Sequence, residues 1–260
     1  MKKTAISVFA ASILALGASL ARADVTEHGK LLVAFNGGIA PAALPRGTPA
    51  PIAVSVGGTI KSLSGESPPA LRKIEIALNR GGHLDNRGLP VCHLSQIQPS
   101  SKAEALKACA PALVGGGSYV ASTAFPEGIA FPSQGRILVF NTVIGGQPAI
   151  FAYAYGNTPV PTTRVIVFRI HSAGGTYGTV LTGLLPATIN RHGYLTSLQL
   201  SLHRNFIYHG RPRTYLSATC AAPAGFPGAT FPFARVSMSF DDGRNLGTTL
   251  VRSCKVRGAR

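Results

Sequence analysis

Strict alternation of apolar and polar residues constrains this chain more than anything else in it. The stretch Leu71-Arg72-Lys73-Ile74-Glu75-Ile76-Ala77-Leu78-Asn79-Arg80 places a branched residue at every second position, and Leu195-Thr196-Ser197-Leu198-Gln199-Leu200-Ser201-Leu202-His203-Arg204 repeats the pattern. A period of two puts Ile74, Ile76 and Leu78 on one face of a strand, and Leu198, Leu200 and Leu202 on one face of another. Each copy closes on an Arg and then runs through a polar loop to a cysteine, Cys92 or Cys220. The pair reads as a duplicated β unit.

Further alternating or apolar runs surround the two copies: Leu31–Phe35, Ile52–Val56, Tyr119–Ala124, Arg136–Ile144, Ala149–Tyr155, Val165–Ile170, Gly178–Leu185, Thr214–Cys220, Arg235–Phe240 and a last strand ending at Cys254. Asp85-Asn86-Arg87-Gly88, Gly145-Gly146 and Asp241-Asp242-Gly243 punctuate them as turns. Phe125–Gln134 reads as irregular. One helix is expected over 101–108, because Ser101 and Glu104 form a capping box and Pro111 closes the run. Many short strands with one short helix predict an all-β sandwich built from two similar halves, residues 24–135 and 136–260. The alternative is a transmembrane barrel, which would carry an apolar outer belt and aromatic girdles. The chain has no Trp and four cysteines, which favours the sandwich.

Met1-Lys2-Lys3, an apolar run from Ile6 to Leu20 and Ala21-Arg22-Ala23 have the form of a signal peptide over 1–23, cut after Ala23. The expected localisation is therefore secreted or cell envelope, with no transmembrane segment in the mature chain. In an exported chain the four cysteines are expected to pair. Three connectivities are possible. Cys92–Cys109 and Cys220–Cys254 are favoured, because each joins neighbours within one half. A metal site at Cys92, His93 and His83 is the rival and is not adopted, so no metal and no cofactor is predicted.

Removing Lys2, Lys3 and Arg22 from the 25 cationic residues leaves 22 against 9 acidic ones, a net charge of +13. A field of that sign favours anionic partners, acidic polysaccharide or a lipid surface. Nothing points to a specific nucleic-acid contact. The chain carries no His-Glu-x-x-His, no Gly-x-Ser-x-Gly and no paired Cys-x-x-Cys. Gly115-Gly116-Gly117 precedes no helix and has no Lys beside it, so it makes no phosphate cradle. Of the main candidate carboxylates, Glu75, Glu104, Asp85, Asp241 and Asp242 have simple structural roles, which leaves Glu66 and Glu127. His83 and Asp85 could act as a base with its orienter, although turn residues are the simpler reading. Two aromatic surfaces come forward. Phe151, Tyr153 and Tyr155 share a strand face and could stack a ligand, with core packing as the simpler reading. Arg204, Phe206, Tyr208, Arg211 and Arg213 combine rings with guanidinium groups and form the binding-surface candidate.

The stretch Gly88-Leu89-Pro90-Val91-Cys92, the helix ending at Cys109, Pro111-Ala112-Leu113-Val114-Gly115 and Phe131-Pro132-Ser133-Gln134-Gly135 together resemble a family of exported, β-rich bacterial proteins with two disulfides and no known activity. The resemblance implies β structure, a turn, a disulfide and a capped helix. It implies no activity, so no functional residue is carried over. The expected function is a non-catalytic binding or structural role in the cell envelope, directed at anionic polymers or lipids. The alternative is a secreted hydrolase of envelope or extracellular polysaccharide, which would need two of Glu66, His83, Asp85, Glu127 and Asp241 to converge in a cleft.

Overall fold

The computed structural model describes residues 23–98, 101–123, 131–157, 161–185 and 193–258. The expected signal peptide up to residue 22, Glu127 and most of the stretch 125–134 lie outside the described residues. The fold is all-β with one short disulfide-tethered helix. Twelve strands carry it: β1 (Asp24–His28), β2 (Leu31–Ala40), β3 (Ala53–Ser62), β4 (Leu71–Asn79), β5 (Leu113–Thr123), β6 (Phe131–Ile144), β7 (Gln147–Gly156), β8 (Thr162–Ser172), β9 (Tyr177–Leu184), β10 (Gly193–Leu202), β11 (Gly228–Phe240) and β12 (Asn245–Val256). They form one curled sheet in the order β1-β2-β3-β10-β5-β6-β7-β8-β9-β4-β11-β12, ended by the short parallel strand Ala43–Leu44.

That order consists of two six-strand series running in the same sense, β1 to β6 and β7 to β12, with their fourth strands exchanged. β4, the first of the two alternating copies, pairs with β9 and β11. β10, the second copy, pairs with β3 and β5. The two alternating strands therefore lace the two series together. The series meet at Gly145-Gly146, whose φ values of 59° and 76° suit a two-residue hairpin turn. At the far ends, Arg252 on β12 donates to the Gly37 carbonyl on β2 and to the Asp24 carboxylate on β1 at 3.2 Å, drawing the sheet into a nearly closed curl.

The alternating apolar faces turn into this curl. Val33, Phe35, Ile74, Val236, Met238 and Leu250 are buried there, and Ile76, Leu78, Leu198, Leu200 and Leu202 pack against them. The two layers of the core are thus two arcs of one sheet. The outward rows Thr182–Glu75–Ser237 on one arc and Asn36, Gln199 and Ser118 on the other are polar, whereas the outer face of β6 and β7 is apolar at Leu138, Phe140, Phe151 and Tyr153. A lipid-facing barrel has the reverse arrangement. Two apolar cavities inside, about 50 and 60 Å³, fall far short of a ligand chamber.

β6 begins at Phe131, earlier than the expected Arg136, so the described part of the stretch read as irregular is strand. Gly115-Gly116-Gly117 lies within β5. A Cβ at Gly117 would stand 1.8 Å from the Gln199 carbonyl oxygen of β10, so the glycines allow the close approach of two backbones. The helix runs Lys102–Cys109, with Ser101 as N-cap. The Ser101 hydroxyl accepts from the Glu104 amide, and the Glu104 carboxylate accepts from the Ser101 amide at 2.7 Å. A second helical turn, Leu94–Ile97, precedes it and was not expected. The Cys92–Cys109 bridge holds both over the outer face of β6 and β7. Phe151 and Tyr153 are fully buried beneath them, so the aromatic strip packs a second small core and is closed to ligands.

Candidate functional site

The twelve strands alternate in direction around the sheet, so their connections leave it at two ends. One end carries the β3–β4 and β11–β12 connections; the other carries the helices, both disulfides and the segment 203–227. The binding-surface candidate lies at the second end. Beyond β10 the chain forms a hairpin that pairs only with itself, Asn205–Tyr208 with Arg211–Thr214. His209 (φ 48°) and Gly210 (φ 70°) make its two-residue turn, both in the left-handed region that such a turn requires.

The register sets Phe206 opposite Arg213 and Tyr208 opposite Arg211. Directly opposed residues share a face, so two rings and two guanidinium groups stand on the same side. That side turns toward the Asp85–Gly88 turn. Arg213 donates to one Asp85 carboxylate oxygen at 3.0 Å, and Arg87 donates through Nε to the other at 3.0 Å. The Tyr208 ring covers Gly88, whose φ is +79°; a Cβ there would stand 2.0 Å from the ring. Gly88 is therefore required both by its backbone and by its neighbour. Phe206 is half-buried and packs against the main core. The rings thus anchor the hairpin, and the cations are what it presents.

Electrostatically the site is positive. Two guanidinium groups share one carboxylate, and Arg211 is exposed on the same face without an ion pair among the described residues. The side-chain hydrogen bond from Arg87 holds the Asp85 carboxyl below its ordinary pKa, against the opposing effect of burial. Asp85 is then ionised at any neutral pH and serves as an anchor. Arg204, also named from the sequence, donates to the Pro111 carbonyl at 3.3 Å, tying the hairpin to the end of the helix. Its Nε is buried without a partner. Arg204 is a brace, whereas Arg211 and Arg213 lie with Arg87 at the rim between the hairpin and the turn 85–88. Sequence reasoning missed Arg87 and His209. The signal for both was the turn chemistry, Asp85-x-Arg87 as an Asx turn and His209-Gly210 between alternating residues.

Among the described residues, the candidate groups for hydrolysis fall at two opposite ends of the sheet. Glu66 and Asp241 lie in the connections at one end of the sheet, His83 and Asp85 at the other. Glu66 accepts from the Ser64 hydroxyl in a polar recess of about 200 Å³ shared with Lys30 and Arg244. Asp241 accepts from the Ala70 amide at 2.9 Å, and Asp242 pairs with Arg244 at 2.6 Å. The Asp85 oxygens are taken by Arg87 and Arg213, so they do not orient His83. Cys92 is consumed by its bridge to Cys109. Among the described residues no three His, Cys, Asp or Glu side chains gather as metal ligands, and no helix is long and apolar enough to cross a membrane. No family model matches this chain, and neither a curated protein nor a solved structure matches it.

Proposed function

We propose that this protein is an exported, non-catalytic β scaffold that binds anionic polymers or surfaces of the cell envelope through Arg87 on the turn 85–88 and Arg211 and Arg213 on the hairpin 205–214. One observation carries the reading. Arg87, Arg211 and Arg213 stand together with a single carboxylate between them, on a face whose rings are already used for anchoring. Guanidinium groups offer planar, paired donors that suit carboxylate, sulfate and phosphate oxygens. The net charge of the mature chain adds a long-range pull that raises encounter rates. Two intramolecular disulfides support an oxidising compartment, which agrees with the signal-like N-terminus. The local partners of Glu66, Asp85 and Asp241 favour binding over hydrolysis.

Adsorption to immobilised alginate, followed from low to high salt, tests the reading. Wild-type protein should bind at low salt and elute as salt screens the cations. The variant carrying Arg87→Ser, Arg211→Ser and Arg213→Ser should lose most of that binding. Retention that ignores salt, or that survives the triple substitution, refutes the assignment.

A further inference from the structure

We infer that the anionic surface recognised at this end is a lipid layer, with Ile207 and Pro212 as an apolar wedge on the hairpin face opposite Arg211 and Arg213; this rests on the binding reading above and narrows it. The hairpin has two faces. One holds Phe206, Tyr208, Arg211 and Arg213 against the body and its rim. The other holds Asn205, Ile207, Pro212 and Thr214, and the register sets Ile207 directly opposite Pro212. Ile207 is 68% exposed, the largest exposure of any bulky apolar side chain in the described residues. The hairpin pairs with no other strand, so that face is not covered by a sheet neighbour.

A hydrated polysaccharide offers such a pair nothing. A lipid interface offers both parts of the arrangement a partner: headgroup phosphates for the guanidinium groups and acyl chains for the wedge. The charge at this end agrees. In its loops and helices, among the described residues, Asp85 and Glu104 are the carboxylates, and both are committed, Asp85 to Arg87 and Arg213 and Glu104 to the Ser101 cap. The opposite end carries Glu66, Asp241 and Asp242 in its connections. Val91, Leu94 and Phe226 are also exposed at the hairpin end, and Leu63 and Leu184 at the opposite end, where the carboxylates stand.

The test compares three probes: vesicles of phosphatidylcholine, the same vesicles with phosphatidylglycerol added, and alginate. The full mature chain is used, with Ile207→Ser as the diagnostic variant and Arg87→Ser/Arg211→Ser as the electrostatic one. Ile207 is exposed, so its substitution leaves the fold intact, which circular dichroism checks. Wild type should partition onto the phosphatidylglycerol vesicles and not onto phosphatidylcholine alone. Ile207→Ser should weaken that partition by about tenfold and leave alginate binding unchanged. The double Arg variant should weaken both by about tenfold or more. Vesicle binding that is indifferent to Ile207→Ser, or alginate binding without vesicle binding, overturns the lipid inference and leaves the polyanion reading standing. Binding to none of the probes at low salt overturns both.

Discussion

Among the described residues Asp85 is the one carboxylate inside the cationic cluster, and replacing it with Asn should make the protein less stable and a better binder. The side chain of Asp85 is 23% exposed and that of Arg213 is 38% exposed, at 3.0 Å separation. A pair so placed is partly screened and contributes about 0.5 to 1 kcal/mol. The second partner, Arg87, is 74% exposed and stands in water. Asp85→Asn should therefore lower the melting temperature by about 2–3 °C in a chain of this size. Binding should move the other way. The substitution releases two guanidinium groups and adds one net positive charge. One cation near an anionic surface is worth about 1 kcal/mol, or roughly fivefold in affinity.

The stability difference should also depend on pH. Hydrogen bonding from Arg87 lowers the folded-state pKa of Asp85 below its usual 3.8. A depressed carboxylate stabilises the fold above the unfolded-state pKa, and that stabilisation is lost as pH falls through the folded-state value. Wild type and Asp85→Asn should thus differ at neutral pH and converge in acid, below the ordinary carboxylate range. Calorimetry across pH and alginate adsorption at fixed salt measure the two effects. A variant that binds more weakly than wild type would refute the reasoning, because Asp85 would then be shaping the site and not merely neutralising it.

Other perturbations should read out the scaffold. Loss of Cys220–Cys254 by paired Ser substitution frees a 34-residue loop and should cost about 4 kcal/mol on the chain-entropy view, against about 3 for the 17-residue Cys92–Cys109 loop; denaturant midpoints compare the two. Gly117→Ala pushes a methyl group into the β10 backbone and should destabilise by about 3 kcal/mol or more, or prevent folding, whereas Gly38→Ala, open on its outward side, should be tolerated. Ser101→Ala removes one arm of the capping box and should cost about 1 kcal/mol without changing binding.

Local patterns carried much of this structure in plain sight. Alternation marked β4 and β10 and gave the correct inward faces, because a period of two admits one buried side. Export chemistry and sequence proximity gave both cysteine pairs. The Ser101–Glu104 spacing gave the helix. What stayed hidden was what depends on partners far along the chain. No local signal says that β4 pairs with β9 and β11, or β10 with β3 and β5, since either copy offers the same ladder to any neighbour. Phe151 and Tyr153 showed their face but not the helices that cover it. In the site, the aromatic and Arg residues were legible as a composition. Their roles were not: Tyr208 as a lid on Gly88, Arg204 as a brace to Pro111, and Arg87 as a cation brought in from 120 residues away by the fold all require three dimensions.

Hydrogen exchange along the backbone, with and without bound alginate or anionic vesicles, addresses the assignment of the binding end most directly. Slowed exchange confined to residues 85–88 and 205–214 is the expected result. Protection that appears instead at the opposite end, around 63–70 and 241–244, with the hairpin unchanged, would contradict it.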